Sequence, residues 1–554
     1  MISPYQRFWL LLKPNNKEIY QVYTYALFKG ILALSLPIGI QSIINLIQGG
    51  AISTSWIVLV FMVILGISLV GYMQMMQMRI TETIQQKIFT RAAFDFTYRI
   101  PKIKFEEIYK HYAPELMNRF FEVLTIQKSL SKIIIDFSSA ILQILFGLIL
   151  LSLYHPFFIL FSIFLVILVF SIIKFTSKKS LETSLSESKY KYKLVSWLEE
   201  LSRAKDTFKL AGTTNLPEIK TDERVLGYLE SRENHFKVLS KQYTLLLIFK
   251  IIVALALLLV GGFLVLEQKM NIGQFVAAEI IILLVIDSVE KIILNLENVF
   301  DILTSLEKLG QVMDLELESD TNSSALTAHF NKALEVQLND IQFTYPGRTK
   351  MVLKNINYKF LSHKSYCITG SNGSGKSTLL HLISGLYQAQ SGTICINKLP
   401  IRNYNLADLY AFIGNGLAEE TIFEGSLLEN ITLGRNYIEL DAVRWAIEQV
   451  CLGDYIKTLP MGLNTQLELS GNKLSKSIVQ RIIIARSIVN KPKLILLENH
   501  IDCIEETDRN KIIDFLTDKS NEWTLITCSN NAYLQQKSDV LLYMKEGEIS
   551  EQTK

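Results

Sequence analysis

Six runs of about 20 apolar residues constrain this chain more than any other feature. They lie at Tyr25–Ile47, Ser55–Met76, Ile133–Tyr154, Phe157–Phe175, Leu245–Leu266 and Ile272–Leu294. A helix rising 1.5 Å per residue needs about 20 residues to cross roughly 30 Å of hydrocarbon, so each run is long enough to span a membrane. Buried helices of a soluble protein imitate one or two such runs, but not six in three close pairs. Composition agrees: 49% of the 554 residues are hydrophobic and the mean hydropathy is +0.26, too apolar for an ordinary soluble enzyme of this length.

The connections orient the spans. Those within pairs are short and almost uncharged: QGGAIST, YHP at Tyr154–Pro156, and EQKMN at Glu267–Asn271. Those between pairs, about residues 77–132 and 176–244, are long, helical in pattern and rich in Lys and Arg. Positive residues stay in the cytoplasm, which predicts cytoplasmic termini and long connections, with the short turns outside. The long connections continue the spans as stalks reaching tens of ångströms into the cytoplasm. The N-terminal MISPYQRFWLLLKPNNKEIY has too short an apolar run and no small-residue cleavage site, so the first span is the expected insertion signal.

A polar, acidic stretch, DLELESDTNSSA at Asp314–Ala325, predicts a linker. Beyond it, short β-rich runs (LEVQLNDIQFTYP, SYCITG, GTICIN, KLILLEN, WTLITCS) alternate with helical segments, the pattern of an α/β nucleotide-binding domain. The five cysteines, Cys367, Cys395, Cys451, Cys503 and Cys528, fit neither a zinc site nor a redox pair and are expected to be reduced cytosolic thiols. Net charge is +3, without a basic run interleaved with aromatics, so no nucleic-acid partner is expected.

The chemistry concentrates at GSNGSGKST, Gly370–Thr378, between a short apolar strand and the helix opened by Leu379 and Leu380. Gly370, Gly375, Lys376 and Ser377 occupy the places of a phosphate-binding loop. Glycines let the backbone N–H groups of Ser371, Asn372, Gly373, Ser374 and their neighbours converge on phosphates, and the helix start adds its positive dipole end. Lys376 is expected to neutralise the β- and γ-phosphates of ATP, and Ser377, followed by Thr378, to hold Mg²⁺. The bland alternative is a glycine turn that binds nothing.

Here the chain resembles the ATP-binding cassette exporters over nearly its whole length: six spans, two long cytoplasmic connections, then one ATPase domain. FTYP at Phe343–Pro346 resembles the family's adenine-stacking loop and implies Tyr345 as the aromatic under the base, against the alternative of a core tyrosine. APELMNR (Ala113–Arg119) resembles the motif at the first cytoplasmic tip, and MNIGQFVAAE (Met270–Glu279) the start of the last span. IFEGSLLENITLG, LSKSIVQRIIIARSIV and KPKLILLEN carry a closer resemblance to exporters of Bacteroidetes that lack an N-terminal peptidase domain. That resemblance implies a bacterial inner-membrane protein working beside a periplasmic adaptor in a role like type I secretion.

The departures from the family pattern carry more weight. Its signature LSGGQ corresponds to Leu474, Ser475, Lys476, Ser477 and Ile478, which keeps the serine expected to contact the γ-phosphate across subunits and loses both glycines. Glu498 and Asn499 stand where the family has Asp and Glu. Glu498 can serve the Mg²⁺ shell, but Asn499 has no basic oxygen to accept a proton from water. The loop that normally offers Gln, Gly414–Thr421, has none, and Glu419 or Glu420 is the candidate substitute. The histidine that senses the γ-phosphate falls at Ser529 or Asn530, and His500 nearby is expected to be structural. Losing a general base removes about 10²- to 10⁴-fold in rate, whereas the groups that bind nucleotide remain.

The expected fold is therefore an α-helical six-span transmembrane domain (1–315), a linker (316–334) and an α/β phosphate-loop nucleotide-binding domain (335–554). The expected activity is ATP-dependent export with slow hydrolysis; the alternative is a nucleotide-gated scaffold that binds ATP with little turnover. One chain carries both hydrolytic and signature defects, so an intact partner would not restore a whole composite site, and a homodimer in membrane lipid is expected. Glu279, Glu290 and Glu297 fall on one helical stripe and are expected to line the transport path, or else to be paired or cytoplasmic.

Overall fold

The computed structural model describes residues 3–49, 54–109, 113–318, 332–417, 421–467 and 474–552. Two compact units emerge, one from Met1–Pro101 with Tyr112–Leu315, the other from Lys102–His111 with Glu316–Lys554.

The first unit is all helical: α1 (Pro4–Leu12), α2 (Asn16–Ala33), α3 (Ser35–Gln48), α4 (Thr54–Arg99), α6 (Ala113–Asn118), α7 (Glu122–Tyr154), α8 (Phe157–Arg203), α9 (Lys205–Leu210), α10 (Leu216–Leu266), α11 (Ile272–Leu294) and α12 (Leu296–Met313). The short α5 (Phe105–Ile108) belongs to the second unit. Among the described residues, six helical passages are long and apolar enough to cross a membrane. The 51 residues of α10 make about 75 Å of helix, well beyond the hydrocarbon thickness.

Two spans are broken for readable reasons. The first breaks at Leu34, because Pro37 lacks the N–H that would bond the Ala33 carbonyl. The last breaks at Asn295, whose side chain donates to the Lys291 carbonyl at 2.8 Å and to Asp136 at 3.1 Å. That break separates Glu290 from Glu297, so the three carboxylates do not share one continuous helix, and Glu290 is ion-paired with Lys250 at 2.6 Å. The NIGQ start of α11 is a capping box in which Asn271 and Gln274 satisfy each other's backbone N–H groups. Beyond it Ala277, Ala278, Ile281, Ile282 and Val285 bury an apolar face, and Gly147 of α7 sits where a Cβ would be 3.1 Å from Val285.

The described residues of the second unit form three sheets. An antiparallel sheet has the order β2 (Leu353–Phe360), β1 (Val336–Phe343), β4 (Ser391–Ile396), β5 (Leu399–Pro400). The larger sheet has the order β12 (Glu548–Gln552), β11 (Val540–Lys545), β3 (Ser365–Thr369), β10 (Thr524–Cys528), β9 (Leu494–Glu498), β6 (Ile413–Gly416), parallel except for β12. A two-stranded pair joins β7 (Gly425–Ser426) to β8 (Gln466–Leu467). All five residues of β9 and of β10 are buried, as expected of parallel strands covered on both faces, and the runs are apolar apart from Thr524, Thr527 and Glu498. β10 lies between β3 and β9, with Cys528 opposite both Ile368 and Glu498. The carboxyl ends of β3 and β9 are thus brought together at one edge of the sheet, where α/β proteins bind ligands.

Segment Lys102–His111 is tied to this unit by backbone and side chain. Lys104 N–H donates to the Glu316 carbonyl at 2.9 Å, Glu318 N–H to the Lys102 carbonyl at 2.7 Å, and Gln388 N–H to Glu106 Oε1 at 2.9 Å. Phe105 meets Tyr387 edge to face at 5.1 Å. Of the expected linker Asp314–Ala325, residues 319–325 lie outside the described residues.

Candidate nucleotide site

The loop Gly370–Gly375 joins β3 to α13 (Lys376–Ser384). Two glycines are obligatory on geometric grounds. Gly370 has φ 146°, and a Cβ there would lie 2.1 Å from the Met544 carbonyl oxygen; Gly375 has φ 104°, with Leu353 2.8 Å from the same imagined atom. Ser371, Asn372 and Gly373 are exposed, whereas Ser374 is buried and its carbonyl accepts from Gly547 N–H at 3.1 Å.

Lys376 Nζ donates to the carbonyls of Gly370 and Ser371, both at 2.9 Å, and so spans the loop mouth. Ser377 Oγ donates to Glu498 Oε1, joining the first turn of α13 to the carboxyl end of β9. Glu498 is 5% exposed and its other oxygen, Oε2, is buried without a hydrogen-bond partner. A buried carboxyl oxygen in that condition is costly unless a ligand completes it. Hydroxyl and carboxyl oxygens suit a hard divalent cation such as Mg²⁺, which binds by one or two protein groups plus phosphate oxygens. No cluster of three or more His, Cys, Asp or Glu occurs among the described residues.

Thr378 Oγ1 pairs with the Tyr345 hydroxyl at 2.8 Å, which places the aromatic against the phosphate loop. Tyr109, from the segment between the first two span pairs, stacks on the Tyr345 ring at 5.0 Å and 18°. Phe343 and Tyr387 meet the same ring edge to face at 5.1 and 5.4 Å. Stacked rings at 5.0 Å leave no room for a base between them, so a base using that face must displace Tyr109. Nothing in the sequence pointed to Tyr109.

Asn499 follows Glu498 with φ 52°, the left-handed region that Asn tolerates better than Glu. Its N–H donates to Cys528 O at 3.0 Å and its side chain is exposed. Gln480 clamps this turn, donating to the Asn499 carbonyl at 3.2 Å and accepting from Cys503 N–H at 3.1 Å, a role that sequence reasoning missed. His500 is buried, with Nε2 on the Leu417 carbonyl at 2.8 Å. Burial pushes its pKa down, against the pull of that carbonyl and of Glu498.

Of the two positions aligned with the sensing histidine, Ser529 is buried and accepts from Asn531 N–H at 3.0 Å. Asn530 is exposed and accepts from Thr369 at the end of β3 at 2.9 Å, so it stands nearer the loop edge. Ser475 is exposed and caps the helix Lys476–Ile488, accepting from Ile478 N–H at 3.3 Å. Glu419 and Glu420 lie outside the described residues.

Comparison with known proteins agrees with this geometry. The family model for the ABC transporter transmembrane region matches residues 23–289, and that for the ABC transporter ATP-binding part matches 353–501. The chain is similar to the ATP-dependent lipid A-core flippase of Xanthomonas campestris (28% identity over 298 residues, 53% of this chain and 50% of the relative). It is also similar to an uncharacterized ABC transporter ATP-binding protein, YfiB, of Bacillus subtilis (29% over 248 residues, 44% and 42%) and to ABC transporter B family member 14 of Arabidopsis thaliana (28% over 235 residues, 42% and 19%). These matches span half or less of each relative. A solved bacterial Atm1-family ABC exporter with ATP bound superposes with a TM-score of 0.86 over 97% of this chain and 94% of that one, at 17% identity, a likeness of fold.

Fold and site together define the class: this is an ABC transporter. More particularly, its transmembrane and ATP-binding regions are fused in one chain whose described residues include six membrane-length apolar helices, and its fold is that of an Atm1-family exporter.

Proposed function

We propose that this chain works as an ATP-dependent exporter of a bacterial inner membrane, as a homodimer that binds ATP·Mg²⁺ firmly and hydrolyses it slowly. The observation that carries the reading is the pairing of Ser377, at the start of α13, with Glu498, at the carboxyl end of β9, while the residue after Glu498 is Asn499. Lys376, the loop amides and Tyr345 supply ground-state affinity. Mg²⁺ on Ser377 and Glu498 would offset phosphate charge. A carboxylate base is missing at Asn499, and Ser475 is the remaining side chain of the signature.

The same reading assigns residues 1–315 to the transmembrane domain, 316–334 to the linker and 335–554 to the ATPase. The resemblance to peptidase-less secretion exporters supports a periplasmic adaptor as partner and a cargo handled as in type I secretion. The similarity to a lipid A-core flippase supports amphipathic cargo as well.

The test is ATP turnover measured beside equilibrium ATP binding on the lipid-reconstituted protein, wild type against Asn499→Glu. Firm binding with slow turnover that rises in the variant supports the proposal. Firm binding with no turnover in either protein favours the nucleotide-gated scaffold, and ordinary exporter turnover in wild type overturns slow hydrolysis.

A further inference from the structure

The first unit contains a second polar cavity, remote in kind from the nucleotide site, of about 510 Å³. Its wall carries five cations, Arg119, Lys189, Lys193, Arg224 and Lys308. Three carboxyl groups face them, those of Glu115, Glu200 and Glu223, and Glu115 is already taken by Arg119 at 3.1 Å. The wall therefore holds an excess of positive charge.

Arg119 is the decisive residue. It is 7% exposed, its guanidinium lies 3.6 Å from the centre of the Tyr192 ring, and its Nε and Nη1 have no hydrogen-bond partner. Lys308 is 8% exposed and faces the same ring at 5.7 Å. Lys193 sits over Tyr190 at 4.7 Å and Arg224 over Trp197 at 5.1 Å. Aromatic faces attract these cations without neutralising them. Buried cationic donors left unpaired are costly, and the group that relieves several at once is an anion with several oxygens. The volume is within the range of small-molecule sites.

Depth identifies the source of that anion. At 1.5 Å per residue, Arg119 just before α7, Lys189 in α8 and Lys308 in α12, beyond the break at Asn295, lie about 50 Å of helical rise from the outer helix ends at Tyr154, Phe157 and Ile272. The hydrocarbon occupies about 30 Å and both headgroup layers extend it to only about 40–45 Å. Lipid headgroups do not reach that level, so the anion comes from the cytosol.

We propose that the cavity around Arg119 and Lys308 binds a soluble polyvalent oxyanion, of the phosphate or polycarboxylate class, in the cytoplasmic extension of the helices. The proposal does not depend on the nucleotide reading. It is tested on the full-length protein in a Lys376→Ala background, which weakens the phosphate loop as a competing site. Thermal unfolding is followed against added pyrophosphate, with sodium chloride at equal ionic strength as control. The expected result is a saturable rise in Tm with pyrophosphate and none with chloride, and at least fivefold weaker half-saturation in Lys308→Met. Arg119→Gln should behave alike, and Lys193→Met is the second reporter if Arg119→Gln does not fold. An equal rise in Lys308→Met and Lys193→Met, a rise matched by chloride, or no rise overturns the proposal. A rise that appears only when anionic lipid is supplied in nanodiscs, and not with pyrophosphate, overturns the cytosolic source.

Discussion

Lys376 illustrates how one side chain separates affinity from rate. A charge-assisted contact contributes about 1.5–3 kcal/mol, so Lys376→Ala should weaken ATP binding at least about tenfold in equilibrium titration. Asn499→Glu should leave affinity nearly unchanged and raise turnover by about tenfold or more, short of the full effect of a base because other groups that act with it are absent. Its φ of 52° adds a cost, since a Glu in the left-handed region is about 1–2 kcal/mol strained. A variant with lower thermal stability but no gain in turnover would place the base elsewhere. Tyr109 predicts the opposite sign for affinity. If base and Tyr109 compete for one face of Tyr345, Tyr109→Ala should tighten ATP binding by about twofold to tenfold, the measure of an aromatic pair of about 0.5–1.5 kcal/mol. Tyr109→Phe should match wild type, and weaker binding in Tyr109→Ala would show that it supports the base instead. His500 gives a pH signature. Its folded pKa is depressed by burial, so the unfolded chain binds more protons below about pH 6.5. The stability it contributes is full above that pH and lost as pH falls toward the folded value. Thermal scans between pH 7.5 and 5.5 should show a shallower loss for His500→Gln than for wild type; identical slopes would mean the ring does not stay neutral.

At the scale of elements, the short turns between paired spans are the sharpest topological statement in the chain. Single cysteines at His155 and Asn271 should react with an impermeant thiol reagent from outside intact cells, because the basic long connections remain cytoplasmic. Reaction only after the membrane is opened would reverse the topology. Strand β3 and helix α13 were legible because their signal is contiguous: an apolar run, a glycine loop and a helix start within a few residues. β9 and β10 were legible as largely apolar runs. β2 was not, because LKNINYKF alternates weakly and is recruited by pairing with β1. The break at Leu34 follows from Pro37, but the break at Asn295 rests on an asparagine whose partner, Asp136, lies on α7.

For the whole molecule, hydrophobic length, charge asymmetry and one phosphate loop determined the class: six spanning helices and an α/β nucleotide-binding domain. These properties are local, because a membrane reads hydropathy residue by residue and a phosphate loop needs only its own backbone. Tertiary structure decided what faces what. Ser377 meets Glu498 across 121 positions of sequence because β10 sets β3 and β9 two strands apart. Tyr109 covers Tyr345, and Arg119 is buried against Tyr192 with donors unpaired, although no nearby residue announces either. Such contacts join positions whose separation carries no periodic signal, and they exist only once packing has chosen which surfaces leave water.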